Sequence, residues 1–213
     1  MKNSIKNLFA AALVMVTLSG ATLAAKASEN NAGYTVLNQV KNISKIIVSG
    51  NVKLILVQDD KEGVEVYDAY YRKNALVQQQ GSELRISSFD KTTLMVVAHV
   101  NNISSIEASN TATVATAGNF NVLSLNVVLN DKATADIKAN TISLSTTVND
   151  AASLKLEGST ESHIAVVGAE SKMKMNEFTA QETNIKVSAK PVLASNNKSR
   201  YDDLKIDLLE KLF

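Results

Sequence analysis

The chain has 213 residues, of which 45% are hydrophobic and 5% aromatic, with no Trp, one Pro, no Cys and a formal net charge of +1. That length allows one ordinary domain or two small ones. The missing cysteine excludes disulfides, thiolate catalysis, Cys-based metal sites and a cysteine-linked lipid anchor, and the near-neutral charge speaks against nucleic acid, which calls for a basic surface.

The first 27 residues read as a secretory signal. Lys2 and Lys6 precede an apolar stretch from Leu8 to Leu18, and Ala25-Lys26-Ala27 offers a small-x-small cleavage site, with Thr22-Leu23-Ala24 as the alternative. The apolar stretch is shorter than the roughly 20 residues of a spanning helix, and no later segment is longer. The mature chain is therefore expected to be soluble, with no transmembrane segment, and exported to the periplasm, the outer surface or the medium. Losing Lys2, Lys6 and Lys26 leaves it slightly acidic.

After a polar lead from Ser28 to Gly33, strand signals dominate. Ile46-Ile47-Val48 and Val52 to Val57 flank the tight turn Ser49-Gly50-Asn51. Asp59 to Gly63 is a charged loop, and Val64-Glu65-Val66-Tyr67 and Leu84-Arg85-Ile86-Ser87 alternate apolar with polar, as half-buried strands do. Leu94 to Val100 is a further apolar run.

From Ile103 the pattern becomes periodic. Strand-like runs end at Asn110, Asn130, Asn149, Gly168 and Ser188, separated by 20, 19, 19 and 20 residues. After each turn comes a two-residue alternation: Val114 and Thr116, Ala135 and Ile137, Leu154 and Leu156, Met173 and Met175. A column of small residues, Ala112, Ala133, Ala152 and Ser171, precedes them. This period predicts a solenoid in which each rung is one coil and successive coils pair as parallel strands; an antiparallel sandwich is the alternative. Asn and Gly suit corners with left-handed dihedrals, and Asn110, Asn130 and Asn149 can stack as an amide ladder. Beyond the polar linker at Ser195 to Ser199, Tyr201, Leu204, Leu208 and Leu212 share one face of a short helix that is expected to cap the last rung or dock on a partner. The predicted organisation is thus a signal peptide (1–27), a β-solenoid (28–194) and a linker with a C-terminal capping helix (195–213).

The turn Val48-Ser49-Gly50-Asn51-Val52-Lys53-Leu54, the downstream Leu84-Arg85-Ile86 and the repeats resemble the head GIN domain family, exported proteins of Gram-negative bacteria described as autotransporter adhesins. The likeness spans about Ile43 to Ala189, and implies an all-β fold, a right-handed parallel β-helix. Asn110, Asn130, Asn149 and Ser188 stand where the family often has glycine, which changes the exposed chemistry. A translocating barrel would need many strands of about ten residues, and none is expected after the solenoid.

Chemistry-bearing candidates are few. Neither His99 nor His163 has the spacing of a metal pair, and both are expected to be packed or surface residues. There is no Gly-x-Ser-x-Gly nucleophile turn and no glycine-rich phosphate loop. Asp131 and Asp150 occupy equivalent positions one rung apart, so their carboxylates are expected roughly 5 Å from one another. That spacing suits retaining glycoside hydrolysis or calcium, but Asn-Asp is also plain turn chemistry. Beside them run outward columns: Thr113, Thr134, Ser153 and Lys172, then Ala115, Asp136, Lys155 and Lys174. The sequence thus predicts a non-enzymatic envelope binding or structural module without cofactor or metal. Asp131, Asp150, Thr134 and Ser153 are its candidate surface-binding residues, and a glycan or a surface protein is the expected partner. The alternatives are a polysaccharide-active enzyme and a periplasmic scaffold pairing through its C-terminal segment.

Overall fold

The computed structural model describes residues 34–37, 39–67 and 75–188; the expected signal peptide and C-terminal helix lie outside the described residues. All regular structure in them is β: Thr35–Leu37 (β1), Lys45–Gly50 (β2), Val52–Gln58 (β3), Gly63–Tyr67 (β4), Ala75–Gln80 (β5), Glu83–Ser88 (β6), Leu94–Val100 (β7), Ser105–Ser109 (β8), Thr113–Ala117 (β9), Phe120–Leu129 (β10), Thr134–Val148 (β11), Ser153–Gly168 (β12) and Lys172–Ser188 (β13). The β-branched, alternating runs read from the sequence fall within these strands, because one face of each is covered and the other is not. In β3, for example, Val52, Leu54 and Leu56 are buried between less buried neighbours.

The strands form one sheet with two flanks. One flank runs β1-β4-β7-β3-β9-β11 and the other β5-β6-β2-β8-β10-β11, with β12 laid on β11 and β13 on β12. The flanks meet on β11, whose start pairs with β9 and whose remainder pairs with β10. Between them lies the core, built from Ile46, Val48, Leu54, Leu56, Ile106 and Leu129 and their neighbours, with the fully buried ring of Phe120 among them. Each such side chain contributes roughly 1.5–3 kcal/mol by leaving water.

The long strands bend as they pass from one flank to the other. In β11 the inward residues are Ala135, Ile137 and Ala139 before the bend, and Leu144, Thr146 and Val148 after it. The alternation changes phase across Asn140 to Ser143, so both halves keep an apolar face inward. Thr160 ties this bend, donating to the Ile142 and Ser162 carbonyls at 3.1 and 3.2 Å and accepting from Thr141 Oγ1 at 2.8 Å.

This architecture corrects the expected right-handed parallel β-helix. The sheet is mixed and curls into a half-barrel: β1 with β4, β4 with β7 and β5 with β6 are antiparallel. The reason lies in residues 34–100, which lack the 20-residue period. Gly81 and Ser82, between Gln80 and Glu83, leave only a hairpin as the way to pair β5 with β6. From β8 onward the neighbours are parallel, and the sequence columns set their register: Thr134 opposite Thr113 and Ser153, and Ser153 opposite Lys172. Ala112, Ala133 and Ala152 are fully buried where the chain turns between flanks.

Candidate functional site

Asp131 and Asp150 lie in successive turns between the two flanks, both with left-handed backbone (φ 60° and 53°). Short Asx side chains tolerate that region better than other non-glycine residues. Their carboxylates are drawn into the stack of turns. Asp131 Oδ2 accepts from the Asn110 backbone N–H at 2.8 Å, and Asp150 Oδ2 accepts from the Asp131 N–H at 3.2 Å. The Asn149 side chain donates to Asn130 Oδ1 at 2.8 Å, so the expected amide ladder has two members, and Asn110 meets a carboxylate instead. Thr134 and Ser153 follow each turn on the outer face of β11 and β12, and Thr134 Oγ1 donates to Thr113 Oγ1 at 3.1 Å. The four candidates therefore sit close together, but each aspartate holds a neighbouring backbone in place.

The histidines are far apart in environment. His163 is buried on β12, 3.0 Å from Thr146 Oγ1 through Nε2 and edge-on to Phe178, while its Nδ1 has no partner. Burial pushes its pKa below the ordinary value. His99 on β7 is partly exposed, with Nδ1 3.3 Å from Asp59 Oδ2 and Nε2 3.9 Å from Glu65 Oε1. Tyr67 donates to Glu65 at 2.5 Å and stacks on Tyr34, and the Glu65 contact pushes its phenol up to about 12. The Lys61 backbone N–H, and less strongly His99, hold Asp59 below the usual carboxylate range. No group of three or more His, Cys, Asp or Glu among the described residues is arranged to hold a metal ion.

A groove of about 510 Å³ opens where the long strands bend, opposite the aspartate turns. Its polar lining is mainly amide: Gln58, Asn101, Asn102, Asn121 and Asn140, joined by the Thr141 hydroxyl. Gln58, at the end of β3, clamps the site. Its Nε2 donates to the Asn101 and Asn121 carbonyls, both at 3.1 Å, and its Oε1 accepts the Asn121 N–H at 2.8 Å. A hydrogen-bond chain runs along the bend, from Ser159 Oγ to Asn140 Oδ1 (3.1 Å) and from Asn140 Nδ2 to Asn121 Oδ1 (3.0 Å). It ends on the Asn121 NH₂, which has no acceptor among the described residues. Leu123 and Ile142 stand beside these amides, 74% and 50% exposed. Past Asn101 and Asn102 the groove continues to Asn42, Ser44, Asp60 and Glu62. Sequence reasoning missed this site. The 19-residue spacing of Asn121, Asn140 and Ser159 is visible in the sequence, but it falls outside the turn columns.

The chain matches the family described as "Putative auto-transporter adhesin, head GIN domain" over residues 42–194. It belongs to that family. The match takes in every strand from β2 to β13, and so the whole groove. Solved structures agree on the fold. A "putative adhesin" from Bacteroides fragilis superposes with a TM-score of 0.63 at 12% identity, over 73% of this chain and 76% of that one. A second, from Parabacteroides distasonis, gives 0.56 at 14% identity, over 73% and 78%. A "putative lipid binding protein", also from Parabacteroides distasonis, gives 0.57 at 10% identity, over 75% and 81%. No curated protein matches the sequence.

Proposed function

We propose that this head GIN domain protein is an exported, adhesin-like and non-catalytic binding module of the cell envelope, and that the amide-lined groove is its binding face. One observation carries the reading: five amide side chains and two exposed aliphatic ones converge on a concave surface, with no charged group among that lining. Amides recognise a ligand without transferring protons, whereas acid–base catalysis needs groups that titrate. The carboxylates a hydrolase would use, Asp131 and Asp150, are each bonded to turn backbone. The adhesin description of the family and the leader-like first 27 residues support export.

Two measurements test this. Protease shaving of intact cells, with a periplasmic control protein, is expected to cut the chain while the control survives. Capture of purified full-length protein on isolated cell envelopes is expected to fall when Leu123→Asp places a charge in the groove. Unchanged capture refutes the groove as the binding face.

A second reading, a periplasmic scaffold pairing with another chain, draws support from β13. Among the described residues this 17-residue strand pairs only with β12, and Ile185 and Val187 are 45% and 71% exposed. An open edge of that length is a template for strand addition. Concentration-dependent mass that disappears when residues 195–213 are removed would favour it.

A further inference from the structure

We infer that the groove takes a neutral glycan chain; this rests on the binding reading above and names the ligand class. A sugar hydroxyl both donates and accepts, and so does a side-chain amide, so an amide-rich, uncharged lining suits a run of hydroxyls. The donors and acceptors here are held before any ligand arrives. Gln58 fixes the Asn101 and Asn121 backbones, and the Ser159–Asn140–Asn121 chain points every hydrogen bond the same way, ending on a donor with nothing to bind. Such a chain polarises its terminal member, which strengthens that donor. Asn102, exposed in the same lining, makes no hydrogen bond within the described residues, so both its amide atoms are open to a ligand.

Leu123 and Ile142 supply the other half of the match. Pyranose rings carry C–H groups on one face and hydroxyls at the rim, and a half-exposed aliphatic pair beside a row of amides offers the complementary surface. Charge selects among glycans. Asp60 and Glu62 line the continuation of the groove, where Glu62 accepts the Asn42 and Ile43 N–H groups and Asp60 accepts from the Asn101 amide at 3.4 Å. These carboxylates are engaged with protein groups, and their charge repels a polyuronate entering from that end. An extended peptide is less well matched: β10 has no second strand partner before Asn126, but Gln58 already caps the Asn121 backbone N–H and carbonyl along that edge.

The test is isothermal titration of the full-length protein with cellohexaose, mannohexaose and hexagalacturonate, and with an uncharged Ser/Gly-rich peptide. At least one neutral hexaose is expected to bind, at least tenfold more tightly than the uronate. Asn102→Ala and Leu123→Ala, both at exposed positions, are each expected to weaken it about five- to tenfold, the loss of one hydrogen bond or of one apolar contact. Their melting temperatures should stay at the parent value. Lys155→Ala, outside the lining of the groove and of its continuation, is expected to leave binding unchanged. Neutral hexaoses that bind no better than hexagalacturonate, or no worse in the two variants, overturn the glycan assignment. If the peptide alone binds, or if the variants lose envelope capture while no hexaose binds, the ligand class is wrong and the binding face stands. If the variants keep full envelope capture, both fall.

Discussion

Gly158 tests the bend in the long strands most directly. It lies on β12 opposite Ala139 of β11 with φ +104°, and a Cβ built there would sit 2.2 Å from the Ala139 carbonyl oxygen and 2.9 Å from its carbon. Ordinary contact begins at 3.4 Å, so Gly158→Ala forces that carbonyl back by roughly 1 Å or more. Parallel strands here are locked by backbone bonds on both sides, since Gly158 also pairs with Phe178 of β13. A left-handed alanine costs about 1–2 kcal/mol, and one or two disrupted ladder bonds add about 1 kcal/mol each. The expected loss is about 2–4 kcal/mol, or a melting temperature lower by about 10 °C in a chain of this size. Gly118 is the matched control: its φ is +86°, yet nothing lies within 4 Å of its would-be Cβ. Gly118→Ala should cost only the conformational part, about 1–2 kcal/mol. The assay is urea unfolding of both variants followed by circular dichroism. Equal costs would refute the close approach of β11 and β12 at the bend, and with it the register that opposes Gly158 to Ala139.

Other predictions follow from single residues. Because burial lowers the pKa of His163 below 6.5, only the unfolded chain takes up its proton as pH first falls below that value. Stability should therefore drop below pH 6.5, by at most about 1.4 kcal/mol per pH unit, and level off once the folded form also protonates; urea midpoints between pH 8 and about 4 should show this step, and His163→Leu should remove it. Asp150→Ala is expected to cost about 2 kcal/mol, from the lost bond to the Asp131 N–H and from alanine at φ 53°, while Asp150→Asn, which keeps both features, should cost about 0.5 kcal/mol or less by the same urea assay. Lys155→Ala removes exposed ion pairs to Asp136 (3.3 Å) and Glu157 (2.5 Å), and should barely move the melting temperature, with any effect fading in high salt.

By itself the sequence determined the strands, most of the turns and the register of the second half. Alternation marks which face of a strand is covered, and that is a local property: the run Leu94 to Val100 is β7 to the residue. Columns of like residues spaced 19 to 21 apart lie opposite one another, as in Thr113, Thr134 and Ser153. The tertiary structure alone decided how those strands close. Alternation is blind to strand direction, so nothing in Val64 to Tyr67 says that β4 runs antiparallel to β7 and makes the sheet mixed. Nor does the spacing of Asp131 and Asp150 reveal that each carboxylate accepts a backbone N–H of the neighbouring turn, because that depends on left-handed turns stacking at hydrogen-bond distance. The groove is the furthest from legible. Its amides come from residues 58, 101, 102, 121 and 140, and only the bend of the long strands brings Gln58 within reach of Asn121, 63 residues on. A binding surface assembled across that much chain is a property of the folded sheet, since no local pattern needs those residues to meet.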